Sequence, residues 1–550
     1  MFKLRVTLII AVVALACCVQ PVKASGGVDL TSYQAQDVSW GKCPSNYFRP
    51  ADEQSKDFNK DAVECGTLNV PALYSTHSAF PDFKIAMMRE SATDPEKLGT
   101  LFINPGGPGE SGVEEVQFLD FPAEIRAKYD IIGFDPRGVN HSAPARGHQI
   151  QCNNRSYFET FWRTEATPAN DKEYLRNLDI MDAYYLKCAK DNPSWWTLTT
   201  SNVVDDLDLM RSILTGSAPL NFLGSSYGTT IASTYITRFP EHVGHIALDS
   251  PTSNEPTSDS AQITDAKSRE ANLMRLIKGY AKARKMSVAA VKKLILQARR
   301  DGDDNKLTGW AGMKILNSSK QIHQSSEYMF TYGMFAMTYY DVAIIQEYFN
   351  EALDAVSGPK KRNAIFEYFA LELNQFDTDS LVGSKYQPNK IKRKNSFEVM
   401  DIVDSLDVDY FVTTTYAHDA KLARQLQKAS PIWTELYSGG TNYWYQGRRE
   451  PISWDSLAKA DPKIPDPPKK MPARKNTSGK PVLVVGARYE STTPYAFAIK
   501  TARDLKSPLV TFNGTAHSPL AYFDKTCLND IFVDYFINSH LPAKSVTCTK

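Results

Sequence analysis

Two kinds of apolar pattern divide this chain. Short apolar runs closed by Gly, Asn or Pro occur at Thr100-Leu101-Phe102-Ile103, Leu220-Asn221-Phe222-Leu223, Pro481-Val482-Leu483-Val484-Val485 and Pro508-Leu509-Val510-Thr511-Phe512. Each is too short for a helix and rich in branched or aromatic residues, so each predicts a buried strand. Between residues 253 and 479 the spacing becomes helical, over 268–300, 328–355, 360–373, 396–406 and 417–428. In the first of these, Leu273, Ile277 and Tyr280, then Val288, Val291 and Leu294, recur on one face. Buried strands with helical segments predict an α/β fold with a mostly parallel sheet. Its first part spans 28–252 and its second 480–550, with a large helical insertion between them at 253–479. The exit of the insertion, 459–475, holds Ile464-Pro465-Asp466-Pro467-Pro468, which cannot be helix interior. No internal repeat is visible.

Length and charge narrow the function. At 550 residues the chain exceeds one minimal core. Its 63 basic and 62 acidic side chains leave a net charge of +1, which argues against nucleic acid as a partner. The basic stretch 267–306 reads as the solvated face of a helix, with a membrane-surface helix as the other reading.

Lys3, Arg5, the apolar run from Val6 and the small-residue site Val22-Lys23-Ala24 make 1–24 a signal peptide, expected to direct secretion. Cys17 leaves a lipid anchor as the lesser alternative. No later apolar run reaches the ~18 residues of a membrane span, so no stable membrane insertion is expected. Six cysteines follow the leader: Cys43, Cys65, Cys152, Cys188, Cys527 and Cys548. An even number in an exported chain reads as disulfides. Fifteen connectivities are open, and clustering in three close pairs favours sequential pairing. None has metal-ligand spacing, so no metal and no other cofactor is expected. Sequons at Asn140, Asn154, Asn317, Asn476 and Asn513 would carry glycans in a eukaryotic source, with Asn140 and Asn513 expected to stay bare.

Candidate chemistry begins at Gly224-Ser225-Ser226-Tyr227-Gly228, a Gly-x-Ser-x-Gly motif between a predicted strand and a predicted helix. A sharp strand-to-helix turn pushes the Ser226 hydroxyl into the open as a nucleophile. Upstream, Asn104-Pro105-Gly106-Gly107-Pro108-Gly109 follows another strand. Side-chain-free residues let backbone amides approach a developing oxyanion, so Gly107 and Tyr227 are the expected donors. The acid and base should follow in chain order. Glu490 lies on the loop after the strand ending at Val485, and His517 on the loop after the strand ending at Phe512. His517 would take the Ser226 proton while Glu490 fixes the imidazole. Asp524 is the next carboxylate to consider. Tyr437, Tyr443, Trp444 and Tyr445 are candidates for a substrate pocket, with packing as the commoner role. Glu367 and Glu372 read as solvated charges.

These motifs, with Gly133-Phe134-Asp135-Pro136-Arg137-Gly138, Phe239-Pro240-Glu241-His242-Val243 and Leu248-Asp249-Ser250, resemble the secreted tripeptidyl-aminopeptidase-like serine peptidases. That group is a branch of the α/β-hydrolase superfamily related to prolyl aminopeptidase. The resemblance runs from about Trp40 to the C-terminus, the middle segment excepted. It implies an α/β-hydrolase fold, a helical cap over the catalytic face, peptide substrates and cleavage near free N-termini. It also favours the sequential disulfides. Two departures stand out: Glu490 where the family has Asp, and Asn140 where it has a small residue. A secreted carboxylesterase or lipase-like hydrolase with the same triad is the alternative, because fold does not fix substrate. A catalytically dead binding protein on the same scaffold is a third reading, opposed by the intact Ser226, Glu490 and His517.

Overall fold

The computed structural model describes residues 28–75, 80–145, 147, 149–152, 187–255, 258–304, 306–308, 325–338, 340–373, 395–407, 416–436, 473–522 and 526–549, with scattered positions between 170 and 186. Among the described residues ten strands form one sheet. They are β1 Val63–Val70, β2 Phe83–Glu90, β3 Gly99–Asn104, β4 Tyr129–Phe134, β5 Ala143–Pro144, β6 Leu220–Ser225, β7 Val243–Asp249, β8 Leu483–Ala487, β9 Leu509–Phe512 and β10 Val546–Cys548. Their order is β1-β2-β4-β3-β6-β7-β8-β9-β10, with β5 beside β2. β2 is antiparallel to β1, β4 and β5, and every pairing from β4 to β10 is parallel. All four strands expected from the apolar runs are present.

The two-residue period of a strand explains how the sheet is covered. On β3, Phe102 points to one apolar core while Leu101 and Ile103 point to the other. β6, β7 and β8 repeat the split, with Phe222, Ile246, Leu248 and Val484 on one side and Leu223, Ala247, Leu483 and Val485 on the other. A sheet buried on both faces needs near-continuous apolar strands, which is what the short runs are. The helices that bear on the site from the core are α1 Gly112–Phe118, α2 Thr200–Thr215 and α3 Gly228–Arg238.

Between β7 and β8 the described residues form the helices α4 Asp259–Ala283, α5 Val288–Asp303, α6 Ser325–Met337, α7 Val342–Ser357, α8 Ala364–Leu373, α9 Ser396–Asp407, α10 Tyr416–Ala429 and α11 Pro431–Leu436. Most of these helices close a third core, around Leu273, Ile277, Val291, Phe330, Phe349 and Trp433. α9 instead sends Val399, Ile402 and Val403 into the sheet's own core, beside Tyr227. Two expected helices are each broken in two. The 268–300 pattern stops at Arg284, passes Lys285 at φ 53°, and restarts where the Ser287 side chain accepts the Ala290 amide. The 328–355 pattern restarts at Asp341, whose side chain accepts the Ala343 amide. Local N-caps override a continuous apolar face in both places. After β8 come α12 Tyr495–Asp504 and α13 Thr526–Asn538.

Candidate active site

β6 ends at Ser225 and α3 begins at Gly228, so the chain reverses through Ser226 and Tyr227. Ser226 stands at φ 53°, a left-handed conformation that a non-glycine residue keeps only when its surroundings hold it there. They do. The Ser226 amide donates to the Asp249 carbonyl at 2.9 Å, and the Thr229 amide and hydroxyl both donate to the Ser226 carbonyl. A Cβ on Gly224 would lie 2.4 Å from the Gly228 carbonyl oxygen, so the turn closes only without one.

The glycine loop after β3 leans on this turn. A Cβ on Gly106 would meet the Ser225 carbonyl oxygen at 2.6 Å, Ser226 Cβ at 2.9 Å and the Tyr227 amide nitrogen at 3.0 Å. Gly106 takes φ 117° and Gly107 φ 96° to make that approach. The Gly106 amide is spent on Asn104 Oδ1 at 3.1 Å.

Glu490 and His517 lie on the loops after β8 and β9, which are neighbours in the sheet. The loops are stitched together, with the Tyr489 amide donating to the Gly514 carbonyl at 3.0 Å. Glu490 is 1% exposed. Its Oε1 accepts from the Thr493 amide at 3.0 Å, the Thr493 hydroxyl and His517 Nδ1, and its Oε2 accepts from Ser250 Oγ at 2.8 Å. Four donors around a buried carboxylate fix its direction. The His517 contact with Glu490 is made through Nδ1, not Nε2.

Asp249 and Ser250, at the end of β7, tie the three loops together from below. The Asp249 carbonyl holds Ser226, Ser250 Oγ donates to Glu490 and accepts the Ser518 amide at 2.9 Å, and Asp249 Oδ2 accepts the Leu520 amide at 2.9 Å. Burial pushes the Asp249 carboxyl well above the usual carboxylate range, the Leu520 amide opposes this, and the charge of Glu490 adds to it. Sequence reasoning missed Ser250 and Thr493. The one available signal was a polar pair directly after a buried strand.

A second cluster lies on the helical side. Tyr227 Oη meets Thr200 Oγ1 at the start of α2, and Thr200 donates its hydroxyl and its amide to Asp407 of α9. Asp404, one turn earlier, and Asp407 are each pushed up to about 7, by burial first and, for Asp404, by its neighbour's charge.

Residues 99–285 match the alpha/beta hydrolase fold family and residues 453–548 match the family described as TAP-like protein. The chain has the α/β-hydrolase fold. The chain is 31% identical over 226 residues to a tripeptidyl aminopeptidase of Streptomyces coelicolor, covering 39% of this chain and 38% of the relative. It is 34% identical over 242 residues to the serine protease Hip1 of Mycobacterium tuberculosis, covering 42% and 43%. It is 25% identical over 541 residues to carboxylesterase B of Mycobacterium tuberculosis, covering 94% and 90%. Against the first two relatives, then, the matched segment spans about four-tenths of their length.

Disulfides join Cys43 to Cys65, Cys152 to Cys188 and Cys527 to Cys548. Asn140, at φ 39°, occupies a conformation that Asn tolerates better than most residues, and its Nδ2 donates to Glu114 Oε1. Asn476 spends its Nδ2 on the Lys480 and Leu505 carbonyls, whereas Asn513 is exposed. Glu367 is buried, not solvated, because α8 turns that face into the third core. The leader 1–24, Asn154, Asn317, the aromatics Tyr437, Tyr443, Trp444 and Tyr445, the linker 459–472, Asp524 and the side chain of Glu372 lie outside the described residues. Among the described residues no helix is long and apolar enough to cross a membrane, and no cluster of His, Cys, Asp and Glu is arranged for a metal.

Proposed function

We propose that this hydrolase is an exported serine exopeptidase that cleaves peptide bonds near free N-termini through Ser226, His517 and Glu490. The observation that carries the reading is the buried Glu490 carboxylate on His517 Nδ1, two strands along the sheet from a serine held in a left-handed turn. Ser226 Oγ attacks the scissile carbonyl as His517 Nε2 takes its proton, and the imidazolium is stabilised by Glu490. The oxyanion would be met by the amides of Tyr227 and Gly107, since the Gly106 amide is already bonded. His517 returns its proton to the leaving amine, and water then hydrolyses the acyl-enzyme by the same route. Three disulfides support an oxidising compartment and hence removal of the 1–24 leader.

An exopeptidase must also meet its substrate's ammonium group, which is costly to bury without a carboxylate. Asp404 and Asp407, next to the Tyr227 side chain, supply that charge. Asp407 is engaged by Thr200, whereas Asp404 has no hydrogen bond or ion pair to any described residue. A carboxylesterase is the second reading, favoured by the 25% identity over nearly the whole chain to an enzyme of that name. One comparison separates the two. Peptides with a free N-terminus should be cleaved, and N-acetylation should remove most of kcat/KM. Equal cleavage of acetylated peptides would mean an endopeptidase, and activity confined to simple esters would mean the esterase.

A further inference from the structure

The two loops that carry Glu490 and His517 are held from the helical side as well as from the sheet. The turn between α6 and α7 runs from Thr338 to Asp341, and both of these residues are buried. The Thr338 carbonyl accepts Ser491 Oγ at 2.5 Å, directly beside Glu490. Asn272 of α4 donates to the same carbonyl and to Ser491 Oγ, and Ser268 Oγ donates to the Glu490 carbonyl. On the other loop, Thr515 Oγ1, two residues before His517, donates to Asp341 Oδ1 at 2.8 Å and accepts the Val342 amide at 3.0 Å. The turn is itself rooted, since the Thr338 amide and hydroxyl both donate to the carbonyl of Phe335, a member of the helical core. One short segment of the insertion thus grips both catalytic loops at once.

We propose that this turn is a positioning element for the reaction: through Thr338 and Asp341 the helical insertion sets how far the Glu490 loop stands from the His517 loop. The inference rests on the assignment of Glu490 and His517 made above. Contacts from the sheet act on the Glu490 carboxylate and on the amides of Ser518 and Leu520. Contacts from the insertion act on Ser491 and Thr515 in the same two loops. The acid–imidazole hydrogen bond depends on both, so the helical layer becomes part of the catalytic geometry as well as a cover over it.

Thr515→Val keeps the side chain's shape but removes both of its hydrogen bonds, and Asp341→Ala removes the acceptor. Each should lower kcat toward a limit on the order of 10²-fold, the scale of a misplacement remote from the chemistry, with KM little changed. Asp341→Asn retains an Oδ1 acceptor and should keep most of the wild-type kcat, which a general packing role would not predict. Unchanged kcat in Thr515→Val, a loss confined to KM, or an Asn variant as damaged as Ala would each overturn the proposal. If Asp341→Ala does not fold, Thr515→Val decides alone. His517→Ala is the control: if it stays active, the assignment of the triad has failed, which is a different result from an inert Thr515→Val.

Discussion

Glu490 is longer than aspartate by one methylene, and its contacts use that reach. The carboxylate spans from Ser250 at the end of β7 to His517, with Thr493 capping the shared oxygen. Glu490→Gln would keep the shape but put an NH2 where only acceptors are wanted, so turnover should fall by up to about 10⁴, as when a tautomer-fixing carboxylate is removed elsewhere. Glu490→Asp should be milder, because the charge survives while the reach to Ser250 is lost. Ser226→Ala should fall further, by about 10⁶ in kcat. Steady-state rates on one free-amine peptide rank all three, and a fully active Glu490→Gln would send the search to another carboxylate. Ser226, Glu490 and His517 could be singled out as candidates in the sequence because each follows a short apolar run on a turn or loop. Ser250 and Thr493 were not, since a hydroxyl partner is fixed by sheet order and loop shape, which local sequence does not record.

Strands β3, β6, β8 and β9 were readable from short apolar runs because a sheet covered on both faces leaves no room for polar alternation. Helix ends were read less well. Ser287 and Asp341 each start a new helix within what looked like one, because the apolar face continues across the break while a capping side chain ends the hydrogen-bond ladder. The second break is the turn that grips Ser491 and Thr515, so an element hidden by the apolar pattern is one that touches the Glu490 and His517 loops. The C-terminal edge offers a test at this scale. β10 pairs with β9 over three positions, the Cys548 carbonyl accepts the Asn513 amide near the His517 loop, and a disulfide joins Cys548 to Cys527 at the head of α13. Replacing both cysteines by serine opens a loop of 21 residues and should cost about 3 kcal/mol in the chain-entropy model. Urea unfolding would measure the loss, and hydrogen exchange should show β10 opening first. An unchanged midpoint would contradict this account of the edge.

For the molecule as a whole, the junction between α9 and the nucleophile turn couples folding to proton uptake. An aspartate in the unfolded chain loses its proton near pH 4. Asp404 and Asp407 keep theirs up to about 7, because burial disfavours two adjacent charges. Between about pH 4 and about pH 7 the folded state therefore binds more protons than the unfolded one, and the unfolding free energy falls as pH rises. Below that window both states are protonated and the effect disappears. Asp208 and Asp301, whose pKa values are lowered, act in a separate window under about pH 4, where stability is lost on acidification. Urea midpoints should thus decline from about pH 5 to about pH 7.5, and Asp404→Asn should flatten the decline because it keeps the shape and removes one charge. The same pair makes the proposed amine site testable without turnover. A bound ammonium group favours the ionised carboxylates, so in the Ser226→Ala variant a free-amine tripeptide should raise the unfolding temperature more at about pH 7.5 than at about pH 5. The N-acetylated tripeptide should show no such difference. If both peptides stabilise equally at both pH values, Asp404 and Asp407 serve the packing of α9 against the sheet and not the substrate's amine.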